Sequence, residues 1–319
     1  MKRTPRLLTS SVGIICPTYS PDDFMDKLLP SIKFINDIRS ISTFLLNFNG
    51  PHWTPTLTYD ALNEMKKTGF KFKWICTGIW DKPIKVLKMR EQCAEMEPDC
   101  ELYLFVDDDF RFVEKTDKYP FTSGRRYLHS IDYMTRHPKC GFVNTKSFLG
   151  GTPQKLKIVP TKHDMTATNQ GLILRNMKRH GFRLALPDMR DIRGGLEEQS
   201  MAYLRVEMGL FGAKQMNNPT VHITGKLSDW DDKHDDFHNT CVIDKGLAGW
   251  IRNRYGADWE YQRRKAPDKL WELYKKRGGI ELDDSLIVDY ANYEPHWDPD
   301  SINWPVKKNI IIGTFGKKL

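Results

Sequence analysis

Four short apolar runs occupy residues 11 to 106, separated by segments whose apolar residues recur at helical spacing, and few folds accommodate that alternation. Ser11–Cys16 (SVGIIC) reads as a buried strand and is followed by a Pro-Thr-Tyr-Ser-Pro turn. Leu28, Leu29, Ile32, Ile35 and Ile38 then recur as the inner face of a helix. Ser42–Phe48 is a second apolar strand, Ala61–Thr68 a short helix closed by Gly69, and Phe70–Cys76 a third strand. A helix over Ile84–Glu97 leads into the fourth run, Leu102–Val106. Runs this apolar predict a mostly parallel sheet with helices on both faces. Ligands of such sheets bind beyond the carboxyl ends of the strands.

The second half is less regular. Gly141–Phe148 and Gly171–Leu174 read as strands, Glu197–Glu207 as a helix, and Lys214–Ile223 leads to a last strand. Thr240–Arg277 is rich in Trp and Tyr and reads as helical, and the Asp-, Trp- and Pro-rich tail from Ile280 is expected to wrap the core. No repeat or low-complexity linker interrupts the chain. The division expected is a catalytic core over residues 1–230 and a helical, extended C-terminal region over 231–319 that packs on it.

The fourth apolar run ends on Asp107-Asp108-Asp109. Three consecutive carboxylates at the end of a buried strand repel one another unless a cation or hydrogen-bond donors compensate. A divalent metal bridging two phosphate oxygens of a nucleotide would do so; the plainer reading is an exposed acidic turn.

Val106-Asp107-Asp108-Asp109 resembles the Asp-x-Asp motif of the GT-A-fold glycosyltransferases, and Ile14-Ile15-Cys16-Pro17-Thr18-Tyr19 resembles their first strand and nucleotide-binding turn. The resemblance covers roughly residues 11 to 230. It implies a Rossmann-like α/β core that takes a nucleoside-diphosphate sugar, a UDP-sugar in particular, together with Mn²⁺ or Mg²⁺. Carried over, it places Pro17, Thr18 and Tyr19 against the nucleotide. It assigns Asp107 to ribose or metal and Asp109 to the metal on the diphosphate, and sets Asp108 near the sugar. Asp81 and Arg90 fall where the family contacts base and diphosphate, and Asn169-Gln170-Gly171 could line the sugar.

Gly194-Gly195-Leu196-Glu197-Glu198-Gln199 resembles the family's Gly-rich turn followed by an acidic pair. Carboxylates in the first turn of a helix also cap its amides, which is the structural alternative. The functional reading makes Glu198, with Glu197 beside it, a general base that deprotonates the acceptor hydroxyl. Val221-His222-Ile223-Thr224-Gly225-Lys226, with Trp230 following, resembles the segment in which some members place a third metal ligand. That gives His222 to the metal and Lys226 to the diphosphate, with His234 and His238 as rival ligands. An imidazole suits Mn²⁺ among oxygen donors. Since that segment also resembles retaining members, the stereochemical outcome stays open.

Charge bears on the acceptor. The chain carries a net +8, and Lys245 to Arg277 holds ten Lys/Arg against four Asp/Glu. Trp250, Tyr255, Trp259, Tyr261, Trp271 and Tyr274 are interleaved with those cations. Cations meet phosphates and flat rings stack on bases, so the stretch suits nucleic acid; aromatics at helical spacing also suit a core. A basic, unanchored enzyme of this kind resembles the phage glycosyltransferases that modify hydroxymethylated cytosine, which implies double-stranded DNA as acceptor. A surface glycan or a protein is the alternative acceptor. A metal-dependent nuclease or a non-catalytic DNA-binding module would share the basic stretch. The nuclease has no need of the Pro-Thr-Tyr turn, and the binding module has no use for three clustered aspartates.

Six cysteines lack CxxC spacing, no run of 18 apolar residues occurs, and Met1–Ser11 lacks the apolar core of a secretory signal. The expectation is a reduced protein of the cytoplasm that contacts no membrane.

Overall fold

A computed structural model of the chain describes residues 7–8, 11–77, 84–115, 121–145, 157–161, 171–177, 184, 197–215, 220–222, 259–292 and 296–297. Its strands are β1 (Leu7–Leu8), β2 (Val12–Thr18), β3 (Ser42–Phe48), β4 (Lys71–Cys76), β5 (Leu102–Phe105), β6 (Phe110–Phe112), β7 (Cys140–Asn144), β8 (Lys157–Thr161), β9 (Ile173–Arg175), β10 (Phe211–Gln215), β11 (Thr220–His222), β12 (Val288–Asp289) and β13 (His296–Trp297). Its longer helices are α1 (Pro55–Lys67), α2 (Ile84–Met96), α3 (Ser123–Arg136), α4 (Glu197–Glu207) and α5 (Trp259–Lys276).

Nine of these strands form one sheet in the order β12-β8-β10-β7-β9-β5-β2-β3-β4. Strands β2, β3, β4, β5, β7, β10 and β12 run one way, and β8 and β9 run against them. The sheet is therefore mixed and mostly parallel, with helices packed on it. Every residue of β2 and β3 is buried, as expected for strands covered on both faces. Gly13 is tight for a packing reason: a Cβ there would meet Leu45 and Tyr103, each at 2.9 Å.

The segment after β2 departs from a simple α-helix. Short α and π turns over 21–31 run into a 3₁₀ stretch, Ile32–Ile41, with a break at Ile35. Ile32, Ile35, Ile38 and Ile41 recur every third residue, and all four are fully buried. Three residues per turn is the 3₁₀ period, so this winding puts every isoleucine on the core side. Helix α1 begins at Pro55, six residues before the expected start, because the Thr54 hydroxyl accepts from the Leu57 amide and Pro55 suits the first helical position.

The described C-terminal elements pack on the preceding ones. Leu270 and Tyr274 of α5 are buried, and α5 packs on α4. Strand β12 extends the sheet through β8, the Tyr133 hydroxyl donates to the Leu286 carbonyl at 2.9 Å, and β13 pairs with β1. Among the described residues no helix is long and apolar enough to cross a membrane.

Candidate active site

Strands β2 and β5 are parallel neighbours, in register from Val12 opposite Leu102 to Ile15 opposite Phe105. Their carboxyl ends therefore emerge side by side. The Val106 amide donates to the Ile15 carbonyl at 3.0 Å, carrying the ladder one residue further before Asp107 turns away. All three aspartates are partly exposed at this edge.

Asp107 and Asp108 are held differently. Asp107 Oδ1 lies 3.0 Å from Arg90 Nη2. Arg90 comes from α2, is 1% exposed, and sits over the Phe105 ring at 5.5 Å. The resemblance sets Arg90 against a diphosphate; in the structure it is buried and paired with Asp107. Asp108 Oδ2 accepts from the Tyr19 amide at 2.6 Å and the Ser20 amide at 2.7 Å. Asp108, expected near the sugar, thus fastens the end of β5 to the turn after β2. Burial pushes its carboxyl up to about 7, opposed by the two amide donors and reinforced by Asp109 and Asp107. Cys16, in β2, is buried, and burial followed by the Asp108 charge raises its thiol well above the ordinary range. It is a small core residue, not a nucleophile.

Asp109 is followed at once by β6, whose Phe110 and Phe112 are buried. Strand β6 pairs antiparallel with β11, with His222 opposite Phe110. Opposed Cα atoms in such pairs lie about 4.5–5.5 Å apart, so the register sets His222 one residue from Asp109. The His222 side chain is outside the described set. Among the described residues no three His, Cys, Asp or Glu side chains form a ready-made metal cage. The donor chemistry nevertheless fits a hard divalent cation: the carboxylates of Asp107 and Asp109, partly exposed at one strand end, are oxygen donors of the kind such a cation takes.

A polar row that the sequence reading missed lines the same edge beside β2. The Asn47 amide donates to Gln92 Oε1 at 3.0 Å, the Thr77 hydroxyl donates to Asn47 Oδ1 at 2.9 Å, and the Asn49 amide donates to the Thr77 hydroxyl. Asn49 is 3% exposed, and among the described residues none donates a hydrogen bond to its Oδ1 or pairs with the buried Thr18 hydroxyl. The signal was available, since Asn47 and Asn49 stand two apart on one face of an otherwise apolar strand end.

Of the other expected residues, Pro17 and Thr18 belong to β2 and not to the turn, which starts at Tyr19. The Tyr19 ring meets His52 edge-on at 5.8 Å. Glu197 and Glu198 open α4, with their side chains outside the described set. Gly171 has φ +73°, and a Cβ there would meet the Thr145 and Tyr127 hydroxyls at 2.4 and 2.6 Å, so packing accounts for this glycine. In the basic stretch, Tyr274 is buried with its hydroxyl donating to the Ile280 carbonyl at 2.7 Å, and Trp271 stacks on it at 4.7 Å. These two aromatics serve the core. Asp81, Asn169, Gln170, Lys226, His234, His238 and residues 240–258 lie outside the described residues, as do the side chains of 259–267.

No protein-family model and no curated protein sequence matches the chain. Solved structures do. The mannosyltransferase PcManGT from Pyrobaculum calidifontis, in complex with GDP-Man and Mn²⁺, superposes with a TM-score of 0.52 at 12% identity, covering 86% of this chain and 77% of that one. TarS 1-349 of S. aureus gives 0.44 at 13% identity over 90% of this chain and 99% of its own. GalNAc-T7, with UDP, GalNAc and Mn²⁺, gives 0.43 at 9% identity over 84% and 56%. The first likeness shows the fold alone, which is of the GT-A, Rossmann-like kind; the other two superpose too loosely to add weight.

Proposed function

We propose that this chain is a metal-dependent glycosyltransferase that moves a sugar from a nucleoside-diphosphate sugar to a hydroxyl acceptor. The observation that carries the reading is the convergence, at one carboxyl edge of the sheet, of the Pro17–Tyr19 segment with Asp107–Asp109. The β6–β11 register, which brings His222 beside Asp109, supports it. The mannosyltransferase of like fold binds GDP-Man and Mn²⁺, as its complex states.

In this reading Asp107, Asp109 and His222 hold Mn²⁺ or Mg²⁺, and Arg90 keeps the Asp107 carboxylate aimed. The cation, when bound, takes up charge developing on the leaving nucleoside diphosphate. Asn49, with its amide committed to Thr77 and its carbonyl oxygen unused, offers an acceptor to an N–H of the base. Glu198, at the start of α4 with Glu197 beside it, accepts the proton of the acceptor hydroxyl. Lys226 and Asp81 complete the donor side. The acceptor we assign is hydroxymethylated cytosine in double-stranded DNA, met in the cytoplasm of an infected host. Its support is the net charge of +8 and the excess of cations over Lys245–Arg277.

The test is nucleotide binding. UDP or GDP with Mn²⁺ should raise the melting temperature of the wild type, and Asp109→Ala should abolish both that shift and sugar transfer. A wild type indifferent to every nucleotide with Mn²⁺, or an Asp109→Ala protein with near-normal turnover, sinks the reading.

A further inference from the structure

The middle aspartate does different work from its neighbours. Asp108 Oδ2 takes two backbone donors at once, Tyr19 N–H at 2.6 Å and Ser20 N–H at 2.7 Å, across 88 and more residues of chain. Both distances are at the short end for N–H···O bonds, as charge-assisted bonds are. Ser20 in turn caps the segment that follows: its hydroxyl accepts from the Asp23 amide at 3.2 Å and its carbonyl from the Phe24 amide at 3.0 Å. The turn is closed from the other side too. The Thr18 carbonyl accepts from Trp53 Nε1 at 3.1 Å and from the Asn49 backbone N–H at 2.9 Å. A Cβ on Gly50, at φ +116°, would meet the Tyr19 ring at 2.7 Å.

We propose that Asp108 is a positioning residue, a latch that holds the Tyr19–Ser20 turn against the end of β5 and contacts neither cation nor sugar. It fixes the spacing between that turn and the carboxylates of Asp107 and Asp109. It also occupies the two successive amides that could otherwise bind an anion, so a diphosphate gains nothing from them. The donor-site half of this inference rests on the function proposed above; the latch itself does not.

Two measurements separate them. Amide hydrogen exchange at Tyr19 and Ser20 in the ligand-free protein reads the latch. Exchange should be slow in the wild type, remain so in Asp108→Asn, whose amide oxygen can accept the same two donors, and rise about tenfold or more in Asp108→Ala. UDP or GDP titrated with Mn²⁺ reads the consequence. Asp108→Asn should keep wild-type nucleotide affinity and Mn²⁺ half-saturation within about threefold, while Asp108→Ala loses about tenfold in affinity, each tenfold being about 1.4 kcal/mol. If Asp108→Ala does not fold, wild type and Asp108→Asn decide. Fast exchange at both amides in the wild type overturns the proposal, and so does an Asp108→Asn protein as deficient in Mn²⁺ as Asp109→Ala. A wild type that binds no nucleotide removes the proposed function while the exchange data still judge the latch.

Discussion

His129 sits on α3 with 1% of its surface exposed, stacked on Tyr290 at 4.5 Å and edge-on to Phe121 at 5.7 Å. Burial, aided by the charges of Arg126 and Arg125, pulls its pKa down from 6.5 to about 2. The folded protein keeps it neutral while the unfolded chain protonates it below 6.5, so its contribution to stability is present above that pH and lost as pH falls, by about 1.4 kcal/mol per unit. Asp108 has the opposite slope, since its raised pKa favours the fold at low pH and that gain disappears between about 4 and 7. Comparison of variants isolates one group from the other. His129→Phe, which keeps a flat ring against Tyr290, should flatten the acid limb. In denaturant unfolding at pH 4.5 against pH 7, the wild type should lose about 3 kcal/mol more than the variant. Equal losses would mean His129 titrates normally in the fold. At this scale Asp107–Asp109 were legible because they end an apolar run, but three identical residues in a row carry no sign of which is a latch. Sequence likewise does not reveal that the Arg90 guanidinium is buried over Phe105 and paired with Asp107.

Helix α3 was missed because it is buried all round from Arg126 to Met134, and Arg126, His129, Ser130 and Asp132 among those residues break the apolar run that such a helix would show. The burial of Asp132 is supported locally: the Tyr290 hydroxyl donates to Asp132 Oδ2 at 2.8 Å, and Arg136 Nε lies 2.9 Å from the same oxygen. Strands β2, β3 and β5 were legible because parallel strands buried on both faces are continuously apolar; β4, at the sheet edge, is only partly buried. Strand β6 was hidden by its three-residue length and by a pairing that joins Phe110 to His222, more than a hundred residues away, while the strand expected at Lys214–Ile223 is two strands, β10 and β11. Helix α4 was legible at its first residue, Glu197. Two roles compete in that first turn, capping and catalysis, and one substitution separates them. If Glu198 is the base, Glu198→Gln should keep donor affinity and lose roughly 10²- to 10⁴-fold in turnover. A parallel loss of melting temperature and activity would assign it to the helix terminus instead.

For the whole molecule, the donor edge and the basic stretch are different regions joined through packing. Helix α5 lies on α4, and the turn at Arg277–Gly279 closes on Gly209, where a Cβ would meet the Arg277 carbonyl at 2.5 Å. The core claims Leu270 and Tyr274 from α5, which leaves its lysines and arginines to account for any pull on a polyanion. If the stretch tracks a DNA backbone, duplex affinity must fall steeply with salt, each phosphate contact adding about −0.9 to the log–log slope. Replacing Arg263, Arg264 and Lys265 by Glu should weaken binding to all duplex sequences alike, because phosphate contacts carry no base information. Hydrolysis of the nucleotide-sugar without acceptor should survive in that variant, because the donor groups assigned above come from residues 17 to 226. The two activities must therefore separate. A triple variant that still modifies DNA normally at physiological salt removes the basic stretch from the acceptor site. A wild type with no salt-sensitive DNA affinity leaves a surface glycan or a protein as the hydroxyl acceptor, with the donor site unaffected.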